Sequence, residues 1–364
     1  MIEARITALH VITTIDRGGA EKQLLILAKK QVNRGIKVVI IPLKGGNELL
    51  TEFQNAGCTV ILACQHKLPL NQAKWLYMFF RRGEYDEILI HAHLPLAEIL
   101  SKISKKPNQR LVISRHNTEK FIPFLPNFIS SAISRSILDK CWGVIAISNS
   151  VRTYLNNSKE AKLSTKVFVV PYGIDFATDL EPKRKPKTIP IKKIGTISRL
   201  VKQKNLETLL YAFAKYKITY QDSELTIIGR GPDKKKLVKL ANKLSLFDSI
   251  IWLDNIQNIQ EYISDFDVFV LTSLYEGFGL VYLEAMVAQV PIVSSRNNTA
   301  LEIFGESANN LFELENSTDL AYKLLELNSE NIRIENLLSS KKIIPKYSSI
   351  LMEEKIYNIY IQNV

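Results

Sequence analysis

Cysteine, histidine and long apolar runs are scarce in this sequence, and each shortage narrows what the chain can be. The 364 residues hold only three cysteines, Cys58, Cys64 and Cys141. Their number is odd and their spacing suits no metal, so a disulfide scaffold is not expected and they read as reduced thiols in or near the core. No run of about 18 apolar residues occurs, which argues against a membrane-spanning helix. The first apolar strand begins almost at the first residue, leaving no room for a signal peptide, so a cytoplasmic protein is expected. His91 and His93 alternate on a strand-like segment and would chelate zinc only with further ligands that the sequence does not reveal, so no metal is expected. Low-complexity tracts are also missing. With 46% hydrophobic and 23% charged residues, the chain has an ordinary globular composition.

Acidic residues are short in one half only. Residues 1–180 carry 24 Lys plus Arg against 14 Asp plus Glu, a balance of +10, whereas residues 181–364 carry 24 against 22, a balance of +2; together these make the +12 of the whole chain. A basic half points to an anionic surface as partner. No helix-turn-helix, zinc-finger or aromatic RNA-binding pattern accompanies it, so nucleic acid is not expected and acidic lipid headgroups are the better match.

The length exceeds what one core usually supports. Apolar strand candidates at 6–12, 38–42, 59–62, 87–91, 111–114, 143–147 and 167–170 alternate with helical patterns at 20–33, 47–56, 70–82, 95–105, 127–139 and 149–157, which predicts a parallel sheet covered on both faces. Pro171-Tyr-Gly-Ile-Asp175 stops that pattern, and the proline-rich basic stretch 181–187 reads as part of a linker over 176–192. The alternation then restarts with strands at 193–198, 224–228, 249–253, 267–271 and 291–293. An α/β protein with two Rossmann-like domains follows, 1–175 and 193–346, with a last helix near 347–364 returning to the first. Facing sheets of this kind bind ligands in a cleft at the carboxyl ends of their strands.

The most informative stretch is Asp267 to Ser294. A β-branched strand gives way to Glu276-Gly277-Phe278-Gly279, then a helix from Leu280, then a second strand. Glycine-permitted backbone at a helix N-terminus offers free N–H groups and a favourable dipole to an anion. Two acids beside it, Glu276 and Glu284, would repel a bare phosphate but suit a ligand with hydroxyls on both sides of its phosphates. A hexose-diphosphate-ribose has that layout.

Other motifs follow strand ends. Asp16-Arg-Gly18-Gly19-Ala-Glu21 lacks the Gly-x-Gly-x-x-Gly spacing and the distal acid of a dinucleotide site, and its glycines could admit a diphosphate or sugar. Arg199 and Lys204, just past the first strand of the second domain, could neutralise a diphosphate, one as a planar fork and the other as a point charge; Lys202 reads as solvated. Gly229-Arg-Gly-Pro-Asp233 repeats the glycine turn, and Asp254 ends the next strand where a base could lie. His116, after Ile113-Ser-Arg115, could reach a sugar or acceptor hydroxyl, with His93 as the other candidate. Asp265-Phe-Asp267 spells a metal motif but precedes its strand, so it reads as structural. Phe121, Phe124 and Phe128, with Lys74, Trp75, Arg81, Arg82, Lys102, Lys105, Lys106 and Arg110, sketch a membrane-contact face.

This constellation resembles the retaining glycosyltransferases of family 4, whose GT-B fold is two facing Rossmann-like domains. The resemblance rests on Gly18-Gly19-Ala20-Glu21, Arg199 with Lys204, Gly229-x-Gly-Pro and, most specifically, Glu276-x7-Glu284 around Gly277-Phe278-Gly279. It implies that Arg199 and Lys204 contact the donor diphosphate, Glu276 the transferred sugar and Glu284 the ribose. The backbone from Gly277 to Leu280 would hold phosphate and sugar groups, and His116 would be the cleft histidine. It further implies metal-independent transfer from a nucleotide-diphospho-sugar, uridine being the common base, to a glycan or lipid-linked acceptor of bacterial surface polysaccharide, with no cofactor. No second carboxylate flanks the sugar position, so same-face attack is expected rather than a covalent sugar intermediate. A nucleotide-sugar epimerase or hydrolase, or a non-catalytic scaffold, remain the alternatives on the same fold.

Overall fold

The computed structural model describes residues 6–65, 67–82, 87–139, 141–176, 190–254, 256 and 259–362. Most of the expected linker, 177–189, lies outside the described residues. The chain divides into two compact units, Met1–Ile174 with Tyr347–Val364, and Asp175–Lys346.

In the first unit seven strands run parallel: β1 (Ile6–Ile12), β2 (Lys37–Pro42), β3 (Thr59–Val60), β4 (Glu87–His93), β5 (Arg110–Arg115), β6 (Gly143–Ala146) and β7 (Val167–Val169). Their order is β3-β2-β1-β4-β5-β6-β7. Every residue of β1 is buried, as expected of a central strand with helices on both faces. Polar His10 lies within that strand and pairs in register with His91 of β4, so two imidazoles are buried side by side. The helix Gly19–Asn33 packs Leu24, Leu27 and Ala28 inward, but also Gln23 and Gln31, which hydrophobic periodicity does not predict.

The helix Ser349–Ile361 belongs to this unit. Met352, Ile356, Ile359 and Tyr360 join its core, Glu353 accepts from Arg34 at 2.5 Å, and Trp142 donates its indole N–H to the Ile359 carbonyl at 2.9 Å. Buried apolar side chains supply most of the attachment, at about 1.5–3 kcal/mol each.

The second unit is a six-stranded parallel sheet of β8 (Lys193–Ile197), β9 (Glu224–Ile228), β10 (Ile250–Leu253), β11 (Val268–Leu271), β12 (Ile292–Ser295) and β13 (Leu311–Phe312), in the order β10-β9-β8-β11-β12-β13. Three elements escape sequence reading: the helices Asn298–Phe304 and Glu330–Ile343, and β13. The first starts on a single side-chain cap, Asn297 accepting from the Ala300 N–H. The second buries only Arg333, Ser340 and Ile343, too few for an apolar stripe. Asp265-Phe-Asp267 is structural: Asp267 accepts from the backbone of Lys192 and Lys193 at 2.9 Å each, and Asp265 pairs with Lys193. No helix among the described residues is long and apolar enough to cross a membrane.

Candidate active site

Each sheet grows outward from its first strand in one direction and then in the other, so strand order reverses between β8 and β11 in the second unit and between β1 and β4 in the first. Doubly wound sheets bind ligands at the carboxyl ends beside such a reversal. Side chains with unusual demands gather at both.

In the second unit the loop after β8 carries Arg199 and Lys204, and the loop after β11 carries Glu276. Lys204 Nζ lies 2.5 Å from Glu276 Oε1, with the two side chains 13% and 8% exposed. Backbone and side chain hold the two loops in register: Thr272 donates to the Lys204 carbonyl at 2.7 Å, Gln203 Nε2 to the Tyr275 carbonyl at 2.8 Å and Leu274 N–H to the Gln203 carbonyl at 2.9 Å. Thr299 donates to the Glu276 carbonyl at 2.8 Å, and Asn297 to the Ser273 carbonyl at 3.0 Å. Sequence reading singles out neither Gln203 nor the Thr272, Asn297 and Thr299 set; the polar pair directly after β11 was the available signal. The cation expected on a diphosphate and the acid expected on a sugar are thus paired with each other.

Arg199 is exposed, its guanidinium 3.4 Å from Gln203 Oε1. The glycine turn after β9 packs on the loop that carries it. Leu200 N–H donates to the Arg230 carbonyl at 2.8 Å, and a Cβ on Gly229, whose φ is +145°, would sit 1.9 Å from the Ser198 carbonyl oxygen. Gly229 is therefore required for close packing of two strand-end loops, a structural reason beside the expected donor contact. Asp254 is exposed and ion-paired with Lys234, whose hydrogen bond holds its carboxyl below the usual range. Past Glu276, Phe278 is 3% exposed and part of the core, so its ring packs inward and is not offered to a ligand. Gly279 takes φ +76° as the residue preceding the helix Leu280–Val287. A side chain there would meet the Tyr282 ring at 2.6 Å. Leu280 opens the helix, and Glu284, one turn along, is buried.

In the first unit Gly18 precedes the helix from Gly19 in extended conformation. A Cβ on Gly18 would lie 2.2 Å from the Glu21 carboxylate, while one on Gly19 would meet nothing within 4 Å. Gly18 seats Glu21, which accepts from Thr14 Oγ1 at 3.0 Å, and Gly19 borders open space. Burial raises the Glu21 carboxyl above its usual range.

His116 is not alone, and both of its ring nitrogens are hydrogen-bonded within the first unit. Its Nδ1 meets the Tyr172 hydroxyl at 2.6 Å and its Nε2 meets His93 Nδ1 at 3.2 Å. The two alternatives for a cleft histidine are hydrogen-bonded to one another; His116 is the partly exposed one and His93 is 2% exposed. Burial, with the neighbouring Arg115 charge, lowers His116 to a pKa of about 3. The third histidine that the sequence did not reveal is His10. Ring nitrogens of His10, His91 and His93 lie within 4.8 Å of one another, which by distance alone could hold a metal. Each nitrogen already has a partner, however. His10 binds His93 at 3.0 Å and Gln31 at 2.8 Å, and His91 binds Tyr360 and Ser114 at 2.7 Å each. A metal would have to replace several of these bonds at once.

Arg115 serves the interior: Nε lies 2.9 Å from Glu98 and Nη1 2.7 Å from Glu160. Burial nonetheless pushes the Glu98 carboxyl up to about 7, against the pull of Arg115.

The sketched membrane face needs one correction. Phe121 is 2% exposed, with the Arg115 guanidinium 4.4 Å from its ring centre, whereas Phe124 and Phe128 are 86% and 76% exposed. Leu68, Leu70, Met78 and Ile103 are also exposed, on or beside the packed helices Pro69–Phe79 and Pro95–Ser104. Not every cation there is loose. Lys105 donates to the Gln109 carbonyl, Arg81 to the Ser104 carbonyl and Arg110 to the Tyr360 carbonyl, while Lys74 and Arg82 are exposed.

Two doubly wound parallel sheets with strand-end loops of this kind define the GT-B class of fold. A family model described as Glycosyltransferase Family 4 matches residues 17–178, and one described as Glycosyl transferases group 1 matches residues 179–342. The chain belongs to this glycosyltransferase family. It is 25% identical over 295 residues to N-acetyl-alpha-D-glucosaminyl L-malate synthase of Bacillus anthracis, covering 74% of this chain and 75% of that protein. It is 27% identical over 272 residues to alpha-monoglucosyldiacylglycerol synthase of Acholeplasma laidlawii, covering 68% and 67%. The crystal structure of Anabaena Alr3699/HepE in complex with UDP-glucose superposes with a TM-score of 0.77 at 20% identity, over 97% of this chain and 99% of that one.

Proposed function

We propose that this glycosyltransferase moves a hexose or N-acetylhexosamine from a nucleotide-diphospho-sugar, with uridine as the base, to a glycan or lipid-linked acceptor of the bacterial cell surface. The reading adds retention at the anomeric carbon and no metal requirement. The observation that carries it is the Lys204–Glu276 pair, held beside the strand reversal and three residues from the glycine that precedes the helix Leu280–Val287. A diphosphate arriving at that helix N-terminus offers Lys204 a second anion, and Arg199, exposed on the same loop, offers a planar fork. Release of Lys204 toward phosphate would leave Glu276 free to accept from sugar hydroxyls. Charge developing on the leaving diphosphate would then be met by groups already in place. Glu284 would govern nucleotide affinity through the ribose.

The acceptor side of the reading rests on the first unit. Exposed Phe124, Phe128, Leu68 and Leu70, together with exposed Lys67, Lys74 and Arg82, suit the surface of an anionic bilayer. The relative named for a monoglucosyldiacylglycerol supports a lipid acceptor and a hexose donor, and the one named for N-acetylglucosaminyl L-malate supports an N-acetylhexosamine donor.

The test is a thermal-shift comparison of UDP-, GDP- and ADP-sugars, followed by transfer to lipid and glycan extracts with and without EDTA and assignment of the product anomer by NMR. A UDP-sugar shift, EDTA-resistant transfer and a retained α anomer are expected. Donor turnover without acceptor would favour an epimerase or hydrolase, and absence of any nucleotide shift would favour a scaffold.

A further inference from the structure

Four of the five histidines of the sequence are buried or half-buried in one hydrogen-bonded series in the first unit. In order, it runs Tyr172 Oη to His116 Nδ1, His116 Nε2 to His93 Nδ1, His93 Nε2 to His10 Nδ1 and His10 Nε2 to Gln31 Oε1. From Gln31 Nε2 it continues to Tyr360 Oη at 3.2 Å, then to His91 Nδ1, and ends with His91 Nε2 at Ser114 Oγ. The members come from β1, β4 and β5, the helices Gly19–Asn33 and Ser349–Ile361, and the segments directly after β5 and β7.

A neutral imidazole has one donor and one acceptor nitrogen, so fixing one partner fixes the other. With Gln31 Oε1 toward His10, His10 must donate from Nε2 and accept at Nδ1. His93 must then donate from Nε2, and so must His116, which leaves its Nδ1 to accept from the Tyr172 hydroxyl. On the other side, Gln31 Nε2 donates to Tyr360, whose hydroxyl donates to His91 Nδ1, and His91 donates from Nε2 to Ser114. One proton order satisfies every contact. Turning the Gln31 amide over would reverse all of them together, making both phenols accept from imidazole N–H groups. A phenol is the better acid of the two, and the tyrosine contacts, at 2.6 and 2.7 Å, are short, so the first order is favoured. Such chains strengthen cooperatively, and a half-satisfied one is costly in a dry interior.

We propose that this series is a single directional chain in which His10, His91, His93 and His116 are all neutral Nε2–H tautomers, and that Gln31 and Tyr360 are positioning residues for His116. The C-terminal helix, through Tyr360, thereby sets the proton order at a residue of the first unit's strand-end surface. The kinetic part rests on the transfer reading together with the sequence expectation that His116 is the cleft histidine; the tautomer part does not.

The experiment is long-range proton–nitrogen NMR on the full chain labelled with ¹⁵N-histidine, which separates Nε2–H from Nδ1–H and from imidazolium. Four non-titrating Nε2–H signals are expected from about pH 5.5 to 7.5, on both sides of the ordinary imidazole pKa. A mixed set of tautomers, Nδ1–H throughout, titration of any of the four, or a stoichiometric metal in the purified protein would each overturn the chain. Gln31→Leu should give His10, His93 and His116 mixed tautomers, whereas Gln31→Glu, which keeps the acceptor for His10, should restore the single form. Tyr360→Phe, which keeps the ring, should release His91 first and serves where Gln31→Leu does not fold. A His116 signal indifferent to Gln31→Leu would show mere packing and overturn the coupling. With transfer in hand, Gln31→Leu should lower kcat several-fold at unchanged donor KM with rescue by Gln31→Glu; equal kcat in all three would overturn the positioning role. If the native chain transfers no sugar, the transfer reading fails while the spectra still decide the chain.

Discussion

Removing Lys204 should cost stability as well as activity, because its partner is then left behind. The side chains of Lys204 and Glu276 are 13% and 8% exposed, so solvent screens the pair weakly, and taking one partner from a buried pair costs about 3–5 kcal/mol. The small residual exposure places Lys204→Ala at the lower end, about 3 kcal/mol. At roughly 2–4 °C per kcal/mol for a domain of this size, the second unit's transition should fall by about 6–12 °C. Glu276→Ala should cost a similar amount by stranding the ammonium. The double variant strands neither and should cost less than the sum, by about 2 kcal/mol or more. Scanning calorimetry of the four proteins gives this coupling directly. Additivity within about 0.5 kcal/mol would refute the buried-pair reasoning. Assayed below the shifted transition, each single variant should lose transfer by at least about a hundredfold; near-normal rates in both would remove these residues from the chemistry.

Gly229→Ala should destabilise the second unit by about 2–5 kcal/mol, combining overpacking with backbone strain, because the new methyl would lie 1.9 Å from the Ser198 carbonyl oxygen at φ +145°. Nucleotide affinity by calorimetric titration should fall with it, and native stability would refute the packing. Stability of the first unit should drop on acidification from pH 7 to 5. Burial holds His10 to a pKa of about 4 and His116 to about 3, and His91 and His93 well below the usual value. The unfolded chain therefore binds more protons below about pH 6.5, and each histidine costs about 2 kcal/mol by pH 5. Glu98, raised to about 7, binds its proton in the folded state first and offsets about 2 kcal/mol of that loss. A urea midpoint that is flat or rises over this range would contradict four neutral histidines in this series. Phe124→Ser with Phe128→Ser should abolish sedimentation with anionic vesicles and leave the thermal transition unchanged, since both rings are largely exposed; undiminished vesicle binding would discard the membrane face.

Much of the fold is written in the sequence, because alternation of apolar strands with amphipathic helices needs only local pattern, and glycine turns at strand ends mark where the pattern breaks. Glu276, Gly279 and Glu284 are legible for the same reason: a strand, a glycine and a helix start within a dozen residues. What local pattern cannot carry is contact between distant residues. That Lys204 answers Glu276, 72 positions away, depends on β8 and β11 being neighbours in the sheet. Phe121 and Phe124 look alike in a proline-rich loop, and only packing against Arg115 separates the buried ring from the exposed one. His10 reads as one polar residue in an apolar strand, and Tyr360 as an aromatic in a terminal helix. Only the parallel register of β1 with β4, and the return of the last helix to the first unit, bring them to Gln31, His91 and His93 and turn isolated polar residues into one connected hydrogen-bonded series.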